Sequence, residues 1–218
     1  MYIFKYLTAL IFVISQVCHA GGIDELKAFS QRTSGARGDF SQSVIGKNGQ
    51  TGKTSAGDFS FLRPGKFNWQ IKKPFEQRIV SDGIKLFIYD NDLAQVSIRP
   101  LGDALASTPA ALLFGPQALD SLFELKDEPA ADGYLWVSAV PKSKDSSFVR
   151  IRIGFQDHWP SQMEISDALG QTTRLSLTNW RGLDSVSETS FRFVPPVGVD
   201  IIDATQNAKR NPTPSTKF

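Results

Sequence analysis

His158, Gly52-Lys53-Thr54, Asp90-Asn91-Asp92 and Arg63 are the residues whose types and spacing could do chemistry in this chain. His158 stands between Asp157 and Trp159-Pro160 at a strand start, and any Ser-His-Asp triad would have to use it. No Gly-x-Ser-x-Gly elbow accompanies it, so a turn histidine is the expected role. Gly52-Lys53-Thr54 looks like the end of a phosphate loop, but Lys47 occupies the place of the first glycine and no helical pattern follows. It reads as a hairpin tip. Asp90-Asn91-Asp92 lacks the glycine and final glutamate of a calcium loop. The 22 acidic residues allow paired carboxylates, yet none is singled out. The expectation is a protein with no catalytic centre, no metal and no cofactor.

Arg63 is different. In Phe61-Leu62-Arg63-Pro64-Gly65-Lys66-Phe67-Asn68-Trp69 a permanent cation stands at a Pro-Gly turn amid the apolar residues of two strands. Its purpose depends on what positions it.

The first twenty residues form a leader. Lys5 precedes an apolar run over Leu7–Val17, and Cys18-His19-Ala20 offers small residues at −3 and −1 before Gly21. That is the pattern of a secretory signal peptide, too short and lightly flanked for a spanning helix. Gln16 and Val17 before Cys18 make no lipobox, so no lipid anchor is expected. Cleavage would remove the single cysteine and His19, leaving one histidine, too few for the usual zinc sites. With no disulfide possible, the remaining chain of about 198 residues must hold together by burial, with one domain over 21–203. Losing Lys5 turns 24 basic residues against 22 acidic into 23 against 22, which gives no footprint for nucleic acid.

Ile23, Leu26 and Phe29 recur at helical spacing from Gly22 to about Arg32, with Asp24 and Glu25 in the first turn where the helix dipole favours acid. The period then becomes two. Strands are expected near 37–45, 54–62, 66–71, 76–81, 84–90 and 93–99, then 121–126, 133–140, 147–155, 161–167 and 171–179. Pro64-Gly65, Ser81-Asp82-Gly83, Asp90-Asn91-Asp92, Asp132-Gly133 and Leu169-Gly170 supply turns between them. So many alternating hairpin strands argue for one curved antiparallel sheet. Between the two groups, Ser107-Thr108-Pro109 starts and Gly115-Pro116 stops a short helix, Ala110–Phe114, apolar on nearly every side. Such a helix is buried or lies over something apolar. Pro195–Val199 reads as a last extended stretch, and 204–218 as a disordered tail.

These residues carry a likeness. Arg63–Trp69, Val80–Gly83 and Leu86–Asp90 resemble successive strands of the periplasmic lipoprotein carrier family LolA. Asp39-Phe40-Ser41-Gln42 is similar to its opening strand, Thr108-Pro109 with the following helix to its lid, and Phe191–Val199 to its closing motif. The resemblance covers nearly the whole chain after the leader and departs from it in the longer tail. It implies a mainly β fold, a half-open antiparallel barrel of about eleven strands with a helical lid. It also implies a monomeric periplasmic carrier. Its cargo would be acylated lipoproteins, its donor an ATP-driven release complex in the inner membrane, and its acceptor the outer-membrane lipoprotein LolB. The missing lipobox points to the soluble carrier.

Within that frame Phe67, Trp69, Leu86 and Ile88 are the expected cavity wall, and Leu26, Leu112, Leu113 and Phe114 the expected lid contacts. Arg63 would latch the lid by donating to carbonyls at a helix end, or would simply point to solvent from its hairpin. Two other readings stay open: a lipid-binding or sensor module on the same fold, and an envelope hydrolase using paired carboxylates.

Overall fold

Leu175 and Leu177 turn one way while Arg174 and Ser176 turn the other, and this alternation recurs in strand after strand. A sheet with one apolar face must bury it, and a twisted sheet can do so by curling on itself. The computed structural model has that form and describes residues 21–101, 113, 119–144, 146–182 and 186–205. The leader expected over 1–20, most of the tail expected over 204–218, and Ala110, Ala111, Leu112 and Phe114 of the expected short helix lie outside the described residues.

Helix α1 spans Gly22–Arg32, as its spacing indicates. The meander then runs β1 (Gly35–Ile45), β2 (Thr51–Leu62), β3 (Lys66–Lys73), β4 (Gln77–Asp82), β5 (Lys85–Asp90) and β6 (Gln95–Pro100). A single turn, α2 (Leu119–Leu122), leads into β7 (Phe123–Ala131). The second group follows as β8 (Tyr134–Pro141), β9 (Phe148–Gln156), β10 (Trp159–Asp167) and β11 (Thr172–Gly182). These are the eleven strands expected, with shifted ends. A twelfth, β12 (Asp200–Asp203), pairs in parallel with β6 and is, among the described residues, the one exception to the antiparallel pattern.

Two readings are corrected. Gly52-Lys53-Thr54 lies inside β2, and the hairpin tip is residues 46–50, where Gly49 takes a left-handed φ of 77°. Val197-Gly198 turns, so Pro195–Val199 is not extended throughout; Gly198, at φ 86°, permits the reversal that delivers β12 to the sheet edge.

The twelve strands lie in the order β12-β6-β5-β4-β3-β2-β1-β11-β10-β9-β8-β7. With β12 and β7 as separate edges, the barrel stays half open. Pro129 sits in edge strand β7, where its missing N–H costs no ladder bond. Gly57 is needed for another reason: a Cβ there would lie 1.8 Å from the Gln70 carbonyl oxygen across the β2–β3 pair.

The concave face holds the main core, from Phe40, Phe59 and Phe61 round to Ile151, Ile153 and Leu177. The convex face is not bare. The segment after β11 crosses it as a short 3-10 turn, Glu188–Phe191, and buries Phe191 there. Phe193 follows with its ring 5.6 Å from that of Phe87 and 5.9 Å from that of Tyr89. Further round, Arg152 lies 4.4 Å over the Trp136 ring and bonds Glu128 at 2.7 Å and Glu164 at 2.6 Å.

Candidate functional site

The barrel interior has two unlike ends. At one, α1 packs across β7, β8 and β9 and drives Phe29 into an aromatic cage. Its ring lies 6.1 Å from Phe61, 6.3 Å from Phe155, 6.0 Å from Trp159 and 5.9 Å from Trp180. Leu26 is buried in the same cluster. Asp127 accepts from the Ile23 N–H at 2.8 Å and satisfies the start of the helix. This end is solid.

The other end is hollow. A space of about 290 Å³ lies between β3–β4 and β10–β11. Phe67, Trp69 and Ile79 form one wall, Met163 and Leu175 the other, and Leu113 lies over them. Leu113 is buried, though it sits in a connection between strands. Trp69 is held flat by stacking on Phe40, with ring centroids 3.9 Å apart. A hollow of this size is at the bottom of the range for drug-sized ligands, about 300–1,000 Å³. Larger hydrocarbon could enter only if the cover moved.

Arg63 is where the two ends meet. It begins the β2–β3 turn, and its Nε donates to the carbonyl of Thr33, the residue that closes α1, at 3.0 Å. Its Nη2 donates to the carbonyl of Leu113 at 2.6 Å. The guanidinium carbon stands 5.5 Å from the Phe29 ring and 5.2 Å from the Phe61 ring. One side chain therefore ties the C-terminus of the plug helix to the segment over the hollow. Burial pushes its pKa down to about 10, so it stays charged at neutral pH while bearing the cost of lost hydration.

Of the expected wall residues, Phe67 and Trp69 line the hollow. Leu86 is buried on the same face and Ile88 packs against the same cluster, but neither borders the open space. Met163, Leu175 and Thr173 border it and were not anticipated from sequence. They come from strands about a hundred residues downstream, and only the β1–β11 pairing brings them round. Leu112 and Phe114 are outside the described residues.

His158 occupies the β9–β10 turn with φ 67°. Its Nδ1 lies 3.1 Å from Glu25 Oε2 on α1, and its carbonyl accepts from Arg32. That makes it a clasp for the plug helix. Among the described residues no three His, Cys, Asp or Glu side chains converge as metal ligands, and no helix is long and apolar enough to cross a membrane.

A curled antiparallel sheet, plugged at one end by a helix and enclosing an apolar hollow under an arginine-tethered segment, defines the class of half-open barrel proteins with an internal cavity. Residues 31–194 match the family model described as outer membrane lipoprotein carrier protein LolA, and the chain belongs to that family. Several curated relatives carry the name "Outer-membrane lipoprotein carrier protein". The one from Dechloromonas aromatica is 40% identical, covering 91% of this chain and 96% of the relative. The one from Ralstonia nicotianae is 44% identical, with 84% and 87% covered. That from Bordetella pertussis is 42% identical, with 82% and 85% covered. Among solved structures, a LolA superfamily protein from Nitrosomonas europaea superposes with a TM-score of 0.50 at 11% identity, over 80% of this chain and 98% of that one. An uncharacterized conserved protein from Thermus thermophilus gives 0.51 at 11% identity, over 83% and 96%. At such identities the structural likeness speaks for the fold alone.

Proposed function

We propose that this protein is a periplasmic carrier that shelters the acyl chains of lipoproteins and delivers them to the outer membrane. The observation that carries the reading is the apolar hollow under Leu113, in a chain whose curated relatives are named for lipoprotein carriage. Each methylene exposed to water costs ~0.8 kcal/mol, so three chains of roughly a dozen methylenes approach ~30 kcal/mol. No acylated protein crosses water unaided against that cost. Transfer from a bilayer into an apolar cavity is nearly neutral, so a carrier needs only a cavity and a cover that moves. Residues 1–20 serve as the export signal, the inner-membrane release complex loads the cargo, and LolB receives it.

Arg63 is the latch in this scheme. It closes the empty protein by tying Leu113 to the end of α1, and acyl chains enter when that tie breaks. The cover must open at a cost of only a few kcal/mol, or loading would stall.

The test is competition for a fluorescent hydrophobic dye. The mature protein is expected to bind the dye and to lose it to an acylated lipoprotein but not to the same lipoprotein deacylated. Equal displacement by both forms would mean that the polypeptide is recognised, and turnover of either one would favour a hydrolase.

A further inference from the structure

A second hollow, of about 600 Å³, lies on the convex face behind β1, β2, β3 and β11, with Ser190 of the crossing segment on its rim. It is polar, and the sheet separates it from the apolar hollow. Arg37 of β1 and Arg181 of β11 are paired in register across the ladder, and both line it. Residues directly opposite on one face have Cβ atoms about 4.5–5.5 Å apart, and like charges there repel. Neither guanidinium has a hydrogen-bond or ion-pair partner among the described residues.

The other charges of the hollow are accounted for. Asp58 pairs with Lys72, and Asp39 accepts from Asn179 Nδ2 at 2.7 Å. Among the described residues, three cations against two carboxylates leave one positive charge unmatched, and it falls at the arginine pair. Ser60 and Asn68 add side-chain donors on the same wall. A bulge in the β1–β11 register, with Asn179 at φ 54°, puts Arg181 back on this face beside Arg37.

We propose that Arg37 and Arg181 form a binding site for one monoanionic oxyanion, a carboxylate or phosphodiester group. A bridging anion turns the repulsive pair into a two-pronged clamp, since each guanidinium presents parallel N–H donors to a planar or tetrahedral oxyanion. Because the site lies behind the sheet, it can be filled while acyl chains occupy the interior. It is therefore open to such an anion on the loaded carrier.

Nitrogen-15 spectra of the arginine Nε–H groups test this with two probes, each at 50 mM against chloride of equal ionic strength. Acetate stands for a protein carboxylate and dimethyl phosphate for a lipid phosphodiester. At least one is expected to shift the Arg37 and Arg181 signals saturably, with exposed Arg150 unmoved. A response to acetate alone assigns the source as a protein, and one to dimethyl phosphate alone assigns it as a lipid. Arg181→Gln should abolish the response at Arg37. The same variant should melt up to about 4 °C higher in chloride, because a like-charge repulsion is removed. Arg37→Gln is the reciprocal check. No saturable shift with either probe, or equal shifts at Arg150, would overturn the proposal, as would a lowered melting point in both variants.

Discussion

Replacing Arg63 with leucine is expected to leave a folded protein that accepts lipoprotein and fails to hand it on. The energetics are a near balance. A pKa pushed down to about 10 by burial corresponds to a desolvation cost of order 3 kcal/mol in the closed form. Against it stand two charge-assisted bonds to the Thr33 and Leu113 carbonyls, worth about 1.5–3 kcal/mol each. The contacts over Phe29 and Phe61 add about 0.5–2 kcal/mol more. The latch thus favours closure by a few kcal/mol, enough to help expel acyl chains when an acceptor is docked and little enough to be broken on loading. Leucine removes both sides of the balance and adds apolar surface beside the cargo. Transfer to the acceptor should fall at least tenfold, which needs a shift of only ~1.4 kcal/mol. Melting should stay near or above the wild-type value, because a buried charge has been replaced by an apolar side chain. Transfer at the wild-type rate would show that Arg63 is not the latch.

The second large effect is on stability. Phe29→Ala should cost about 3–5 kcal/mol, the usual loss for a fully buried phenylalanine. Here the ring is wholly buried in a cage of Phe61, Phe155, Trp159 and Trp180, all on strands that cannot collapse into the space. A domain of this size has about 5–15 kcal/mol in total, so about a fifth or more would go. The urea midpoint should drop and the near-ultraviolet signal of the tryptophans should weaken. A loss under 1 kcal/mol would mean that α1 is not the fixed plug of the barrel.

Much of this was legible from sequence for a simple reason: most of the strands bury one face along much of their length. Where Phe67 and Trp69 alternate with Asn68 and Gln70, the pleat decides which side chains go inside, whatever the neighbours are. The turns were legible because Gly65 and Gly83 need left-handed backbone angles. What local pattern could not give is anything set by pairing across long stretches of chain. β12 carries Ile201 and Ile202 side by side with no alternation, and only its parallel contact with β6 makes it a strand. The far wall at Met163 and Leu175 depends on β1 meeting β11, as does the juxtaposition of Arg37 and Arg181. The Arg63 turn was visible, but its two carbonyl partners lie 30 and 50 residues away and no spacing rule reaches them.

The most direct measurement places a photoreactive benzoylphenylalanine at position 67, on the wall of the apolar hollow, and another at position 37 on the convex face. After loading with acylated lipoprotein and illumination, an adduct through the acyl chains should form at 67 and not at 37, and deacylated lipoprotein should give none at 67. Acyl adducts at 37, or a position 67 that stays silent while cargo is bound, would contradict the view that hydrocarbon travels inside the barrel.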